Sequence, residues 1–149
     1  SGPLQDAGVT LEQTTVVSST WGAWKRAHPE TRIVAQDGGI GREYELDPLG
    51  GRDDGGPIFP IGSSDPRLPV HVQVVGVIAE DGQAVAFDAN DARDALAAGE
   101  TVAEGGIELF ADGGGLRARA VGGDELPAHE AFWFAWSQFN PETELWARG

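Results

Sequence analysis

The sequence predicts an α+β fold in which short antiparallel β-hairpins carry two tryptophan-bearing helices packed on them. Three observations support this fold class. Apolar and polar residues alternate in several short runs, which is the period of a β-strand. Two segments carry apolar residues at helical spacing, each with two tryptophans three positions apart. The 22 glycines and 9 prolines among 149 residues predict many turns between short elements.

The first predicted elements are a strand and a short helix. Residues 11–17 alternate between two faces and predict the strand. Ser18 and Ser19 follow as candidate N-caps for a helix over residues 21–26. Pro29 ends this helix, because the residue before a proline disfavours helical backbone angles.

A strand, a long loop and a hairpin are predicted next. Residues 32–35 predict a short strand, and residues 37–69 are rich in Gly, Pro and Asp and predict a loop. Irregular stretches of this length are unusual in small domains and are often functional. Residues 70–80 predict the clearest strand. A type I′ turn at Asp81-Gly82 then leads to a partner strand over 83–88.

The C-terminal elements follow the same logic. Asp88 or Asn90 caps a helix that runs through Leu96, with Gly99 just after its end. A second hairpin pairs residues 107–111 with 116–121 across an Asp-Gly-Gly-Gly turn. The last predicted elements are a helix over residues 130–139, ended by Pro141, and a short strand through Trp146.

The two tryptophan segments resemble each other. Residues 21–31 (WGAWKRAHPET) and 133–143 (WFAWSQFNPET) share six of eleven positions, and the second copy starts 112 residues after the first. Such similarity predicts duplication of one supersecondary unit. We therefore expect a first motif copy within residues 1–98 and a shortened second copy within 99–149, together in one compact domain with an internal pseudo-repeat.

The tryptophan pairs are candidate binding residues. Trp21 and Trp24 share one helix face, as do Trp133 and Trp136. Two interpretations stay open: an aromatic platform for a ligand or partner, or large side chains that pack each helix onto a sheet.

The predicted loop over residues 37–69 supplies the other candidates. Arg42, Tyr44 and Asp47 lie close together in sequence and could bind a ligand or a partner. The alternative is that Arg42 and Asp47 pair to hold the loop, which contributes little when exposed.

The sequence indicates no catalytic or metal-binding residues beyond these candidates. The chain has no Cys, and no Ser lies in a Gly-x-Ser-x-Gly elbow. His28, His71 and His129 are far apart in sequence, and helix termination or strand alternation accounts for them better than zinc ligation. We predict no catalytic residue, no metal site and no cofactor.

The net charge of the chain restricts the classes of partner that it can bind. The net charge of −14 disfavours nucleic acid and anionic lipid, and the apolar runs are too short to insert into a membrane. Two explanations of the acidity stay open: ordinary solubility with a GC-rich genome, or adaptation to a high-salt habitat.

Several of these segments resemble the domain-of-unknown-function family 3179. Its pattern is similar to Gly2-Pro3-Leu4, to Trp21, Trp24, His28, Pro29 and Thr31, to Arg42, Tyr44, Asp47 and Pro48, to Phe59-Pro60, to Asp65, Arg67, Leu68 and Pro69, and to the second motif over residues 131–136. The resemblance covers roughly residues 2–98 and 124–146. The family has no established activity to transfer.

The resemblance also implies features that this chain lacks. In the family, a β-rich segment with a Cys-Pro-x-Cys-like motif precedes the Gly-Pro-Leu segment and recurs before the second motif. Since this chain holds no Cys, no metal or redox chemistry carries over. We expect the uncovered strand edge over residues 11–17 to associate with another chain, as a homo-oligomer or with a protein partner, rather than to be covered by residues 105–121.

The function expected from the sequence is therefore a non-enzymatic, extracytoplasmic or secreted module that binds or assembles with proteins. The alternative from a different class is an enzyme or a metal-dependent ligand binder that uses the loop over residues 37–69. Clustering discriminates between them, because an enzyme gathers its polar groups in one pocket.

Overall fold

The structure is a computed structural model and describes residues 6–10, 12–33, 41 and 60–148. The helices of this part of the chain are α1 (Trp21–Ala27), α2 (Ala89–Ala97) and α3 (Trp133–Phe139). Its strands are β1 (Gln73–Ile78), β2 (Ala84–Asp88), β3 (Val102–Glu104), β4 (Ile107–Asp112), β5 (Gly115–Ala120), β6 (Glu125–Leu126), β7 (Ala128–Phe132) and β8 (Glu144–Trp146). The predicted α+β class is confirmed.

The strands form two four-stranded sheets. Sheet A has the order β7-β1-β2-β8, and sheet B has the order β3-β4-β5-β6. All pairs are antiparallel except β2 with β8, which run parallel. Helix α3 connects β7 to β8 and so links the two opposite edges of sheet A.

The β1–β2 hairpin is confirmed, but its turn differs from the expected type. A type I′ turn needs positive φ at both central residues. Of the pair, Gly82 has a φ of 89°, whereas no described non-glycine residue has a positive φ. Ala79 instead donates to the Gln83 carbonyl and Gly82 donates to the Ala79 carbonyl, which makes a three-residue connection with glycine at its left-handed position.

The β4–β5 hairpin has the type I′ turn that the β1–β2 hairpin lacks. Gly113 and Gly114 form a two-residue connection with φ of 57° and 84°, as a type I′ turn requires. Glycine at both positions avoids the steric cost of a left-handed backbone.

Helix α2 is capped at both ends as its sequence predicts. The Asp88 carboxylate accepts from the backbone N–H groups of Asn90 and Asp91. At the other end Gly99, with φ of 79°, donates to the Leu96 carbonyl and Glu100 donates to the Ala95 carbonyl. These two bonds form a Schellman motif.

The main core lies between the two sheets. It contains Val75, Val77, Val85 and Phe87 of sheet A, Ala89, Ala92 and Ala95 of α2, and Val102, Ile107, Leu109, Leu116 and Ala118 of sheet B. Alternation along β1 sends Val74 to the opposite face of sheet A, where it packs with Ala86 and Trp133 under α3. Sheet A is thus covered on both faces.

Four local expectations are wrong. Residues 12–17 belong to no strand, although Val16 and Thr15 bond to the backbone of residues 126–128. Residues 32 and 33 also lie outside any strand. The last helix starts at Trp133 because residues 128–132 pair with β1 as β7. The cap of α1 is Thr20, whose hydroxyl accepts from the Ala23 N–H, and not Ser18 or Ser19.

The part of the predicted loop that the structure describes, residue 41 and residues 60–69, contains no helix or strand. Residues 34–40 and 42–59 lie outside the described part. No helix of the described residues is long and apolar enough to cross a membrane.

Candidate functional site

The four motif tryptophans occupy different environments. Trp133 is fully buried in the core beneath α3. Trp24 and Trp136 are half-buried. Trp21 exposes 47% of its surface. Core packing, one of the two roles that the sequence leaves open, therefore describes Trp133, whereas Trp21 faces outward.

Helices α1 and α3 nonetheless share their local geometry. The indole N–H of Trp24 donates to Thr31, and that of Trp136 donates to Thr143, both over 2.9 Å. The residues after the two helices, His28 and Asn140, have nearly the same backbone angles, with φ of −126° and −131°. The motif therefore forms the same short helix, the same backbone conformation after the helix, and the same indole–threonine hydrogen bond in both places. Duplication of a whole unit stays a prediction.

Helix α3 packs on the middle of a strand. The Trp136 ring covers Gly76 of β1 so closely that a Cβ built on this glycine would overlap the ring. Trp133 is covered from the other side by the segment before β1. Its indole N–H donates to the Asp65 carbonyl over 2.9 Å, and the Arg67 guanidinium lies 5.2 Å from its ring centroid.

Helix α1 packs on the end of a hairpin. Trp24 lies over Gly113 in the β4–β5 turn, where a Cβ built on this glycine would come within 2.9 Å of the ring. The turn closes β4 and β5, so these two strands do not continue beneath Trp21. As a result α1 contains no buried residue, although its sequence resembles that of α3.

An ionic cluster, called here the α1 anchor, joins α1 to sheet B. It consists of His28, Asp112, Arg117 and Glu125. The His28 Nε2 lies 2.8 Å from Asp112, and Arg117 bonds both Asp112 at 2.6 Å and Glu125 at 2.7 Å. The His28 ring also packs against the Trp24 ring, with centroids 4.1 Å apart and the two planes tilted by 33°.

The electrostatics of the α1 anchor favour the ionised forms of its acid and its arginine. The hydrogen bond from Arg117 holds the pKa of Asp112 below its ordinary value, against partial burial, and His28 acts in the same direction as Arg117. The carboxylates of Glu125 and Asp112 raise the pKa of Arg117. Ser19 Oγ donates to the Gly113 carbonyl, so its hydroxyl is bonded to the backbone and not to an imidazole base. The anchor and this Ser19 bond therefore hold α1 against the end of sheet B.

The opposite side of α1 forms a surface that we call the α1 face, consisting of Trp21, Gly22, Lys25 and Arg26. All four residues are exposed. The Lys25 Nζ lies 6.0 Å from the Trp21 ring centroid. Among the described residues, neither Lys25 nor Arg26 forms an ion pair with a carboxylate. The α1 face thus combines an exposed indole with two positive charges that no described carboxylate pairs with.

A cleft of about 190 Å³ lies beside α3. Its lining residues are Gln13, Gly76, Ile78, Pro127, His129, Trp136 and Asn140. The His129 Nε2 is buried there, and within the described chain it has no hydrogen-bond partner. A buried imidazole nitrogen without a partner is costly unless water or a ligand satisfies it.

The remaining candidate residues can be placed only in part. Arg42, Tyr44 and Asp47 lie outside the described residues. Within the described ranges, no group of three or more His, Cys, Asp or Glu side chains is arranged to hold a metal ion. His71 is exposed next to β1, and His28 and His129 belong to separate sites.

Three features of the site were missed from the sequence. Asp65 and Arg67 cover Trp133, and their spacing alone gave no hint of this role. The bond between them lowers the pKa of Asp65. The cleft brings Gln13 next to residues more than 60 positions away, and no local pattern signals such a contact. The outward direction of Trp21 was also not signalled, because its motif matches that of the buried Trp133.

Comparison with known proteins identifies the family. A family model described as a protein of unknown function, DUF3179, matches residues 1–122. The match spans most of the 149 residues, so the chain belongs to the DUF3179 family. The matched range includes α1 and ends before α3, so kinship of the second motif stays a prediction. No curated protein and no solved structure shows significant similarity to the chain.

Proposed function

We propose that this member of the DUF3179 family is a non-enzymatic, extracytoplasmic module that binds or assembles with a protein partner through the α1 face. One observation carries the proposal: the tryptophan that is fully buried in α3 has a counterpart in α1 that is 47% exposed. Tryptophan is enriched among the residues that dominate binding energy at protein interfaces. An exposed indole on a helix is therefore a suitable anchor for a partner.

The segment around α1 exposes further apolar side chains. Val16 and Ile33, on either side of α1 in the sequence, expose 65% and 73% of their surfaces. Exposed apolar side chains contribute to binding where a partner buries them. The segment that carries them is joined to the rest of the protein by the α1 anchor, by Trp24 packed on Gly113, and by hydrogen bonds of Thr15 and Val16 to residues 126–128. Helix α1 is thus held in place while its outer side stays accessible.

Site-specific photo-crosslinking tests the proposal. A photoreactive amino acid at Gly22 would lie within the α1 face, and the matched control position is Glu80 in the exposed β1–β2 turn. In cells that produce the full protein, we expect a discrete adduct with another protein from position 22 alone. The adduct should disappear with Trp21→Ala and persist with Phe139→Ala, because Phe139 is an exposed aromatic of α3. Equal crosslinking from both positions, or none from position 22, would contradict the proposed role.

The compartment is tested separately. Since the sequence contains no Cys, Glu80→Cys introduces one thiol into an exposed turn. A membrane-impermeant maleimide should label this variant in intact cells, with the unchanged protein as the control. Labelling that requires cell lysis would place the module inside the cytoplasm.

A further inference from the structure

We infer that the α1 face binds a short acidic peptide segment of a separate protein. This inference rests on the proposed function and deepens it, because it names the chemistry of the partner. It follows from a comparison of what covers Trp133 with what is missing around Trp21.

Helix α3 shows how the first tryptophan of this motif is covered. The covering segment is a short stretch of irregular backbone before β1. It offers a backbone carbonyl, that of Asp65, to the indole N–H of Trp133. It also places a cation, the Arg67 guanidinium, 5.2 Å from the ring centroid. With this cover, and with sheet A on the other side, Trp133 is fully buried.

Of the cation and the carbonyl acceptor that cover Trp133, helix α1 itself supplies the cation. The Lys25 Nζ lies 6.0 Å from the Trp21 ring centroid, so no binding partner is needed to place a cation near this ring. The carbonyl acceptor is missing, because the Trp21 indole N–H has no hydrogen-bond acceptor among the described residues. A peptide backbone lying on α1 would supply a carbonyl in the way that Asp65 does for Trp133.

The charge of the α1 face selects an acidic segment. Lys25 and Arg26 lie in the last turn of α1, and the helix itself contains no acidic residue. A carboxylate near Lys25 or Arg26 gains a charge-assisted hydrogen bond. The protein as a whole is negative, but at physiological salt the Debye length is about 8 Å, so its distant charges are largely screened at this contact.

A separate protein fits better than a second copy of this chain. Two copies, each with a net charge of −14, would bring carboxylates of both chains within a Debye length of each other across their interface, where screening is weak and repulsion opposes assembly. A short acidic segment brings only a few negative charges. An anionic lipid surface supplies charge as well, but it does not supply the backbone carbonyl that covers Trp133 in α3.

Binding to two matched peptide libraries tests the inference. The first holds random octapeptides of Asp, Glu, Leu and Gly, and the second replaces the acids by Asn and Gln. The intact chain should retain the acidic library at least tenfold better than the amide library, and 500 mM NaCl should weaken this preference. Trp21→Ala should reduce binding at least tenfold, whereas Phe139→Ala should not.

A matched pair of double variants assigns the charge effect. Lys25→Gln with Arg26→Gln removes two charges from the α1 face, and Arg119→Gln with Arg148→Gln removes two elsewhere. Only the first pair should abolish the preference for the acidic library. Circular dichroism should show that all variants fold.

Four results would overturn the inference: equal binding of both libraries, equal loss in both double variants, equal binding to phosphatidylglycerol vesicles, or self-association that depends on Trp21. If crosslinking from position 22 succeeds while the libraries show no preference, the proposed function stands and the acidic partner is wrong. If crosslinking from position 22 also fails, both are wrong.

Discussion

Helices α1 and α3 have similar sequences but differ in how deeply they are buried. Both contain seven residues, both end on a residue with the same backbone angles, and both bond the indole of their second tryptophan to a threonine. Yet α3 buries Trp133 completely, whereas α1 buries none of its residues. The local motif therefore determines the helix and its termination, and the surface beneath it determines burial.

The difference arises from where the supporting glycine lies. Gly76 is in the interior of β1, so sheet A extends on every side of Trp136 and reaches Trp133. Gly113 is in a hairpin turn, so the strands that support Trp24 end there. Glycine allows a tryptophan ring to approach the backbone closely at both places. A large buried side chain needs sheet beyond that point of approach, and α1 lacks it.

The largest expected effect is the loss of Trp133. We expect Trp133→Ala to lower the free energy of unfolding by about 3–5 kcal/mol, the usual cost of truncating a buried large aromatic. Trp21→Ala, at the same position of the other motif, should lower it by less than about 0.5 kcal/mol, as exposed substitutions do. Urea denaturation monitored by circular dichroism measures both. Equal costs would show that Trp21 is part of the core and would remove the contrast between the helices.

A methyl group at the supporting glycines should have the next largest effect. Gly76→Ala places a Cβ inside the Trp136 ring, and we expect a cost of about 1–3 kcal/mol from overpacking. This cost should shrink when Trp136→Ala is also present. A cost that persists in the double variant would mean that the backbone, and not the ring, rejects the methyl group.

Gly113→Ala, the corresponding substitution beneath α1, should lower the free energy of unfolding by less than Gly76→Ala once the cost of backbone strain is subtracted. Gly113 and Gly106 both have positive φ, of 57° and 75°, but only a Cβ at Gly113 would meet Trp24. Gly106→Ala therefore measures the strain alone. We expect Gly113→Ala to exceed it by less than about 1 kcal/mol, because α1 has no buried residue and can shift slightly at a lower cost than α3. An excess as large as the cost of Gly76→Ala would show that α1 is held as firmly as α3.

As the pH falls, α1 should lose its contacts with sheet B before α3 loses its contacts with sheet A. The pKa of Asp112 is lowered by Arg117, so the carboxylate stabilises the folded state above its ordinary value of 3.8, and this contribution is lost as the pH falls through the lower folded value. Hydrogen exchange measured between pH 5 and pH 3 should show α1 amides losing protection first. Asp112→Asn should remove that pH dependence and cost about 1 kcal/mol or less. Simultaneous loss in both helices would indicate one cooperative unit.

Elements with a local cause could be predicted from the sequence. The cap at Asp88, the left-handed Gly99 and the Gly113-Gly114 turn each follow from backbone preferences of a few adjacent residues. The start of α3 could not be predicted in this way. Residues 130–132 have apolar spacing that suits a helix, and only pairing with β1, about 55 positions earlier, makes them a strand.

The environments of the candidate residues could be predicted only in part. The sequence indicated Trp21 and Trp24 as binding or packing residues. Within one helix Trp24 packs on Gly113 and Trp21 is exposed, whereas binding by either residue stays a prediction. Which tryptophan faces outward depends on the position of Gly113 at the end of sheet B, a tertiary fact without a local signal. The covering role of Asp65 and Arg67 was missed for the same reason.

The order of strands in sheet A has a consequence for synthesis on the ribosome. The central hairpin β1–β2 emerges first, whereas both edge strands, β7 and β8, lie within residues 128–146. An isolated two-stranded hairpin is marginally stable, and its unpaired edges can bind other chains. At roughly 5–20 residues per second, translation from the end of β2 to the end of β8, over residues 89–146, takes about 3–12 s. During that interval the nascent chain exposes both edges of the hairpin, and a chain stopped after residue 127 would keep them exposed and aggregate.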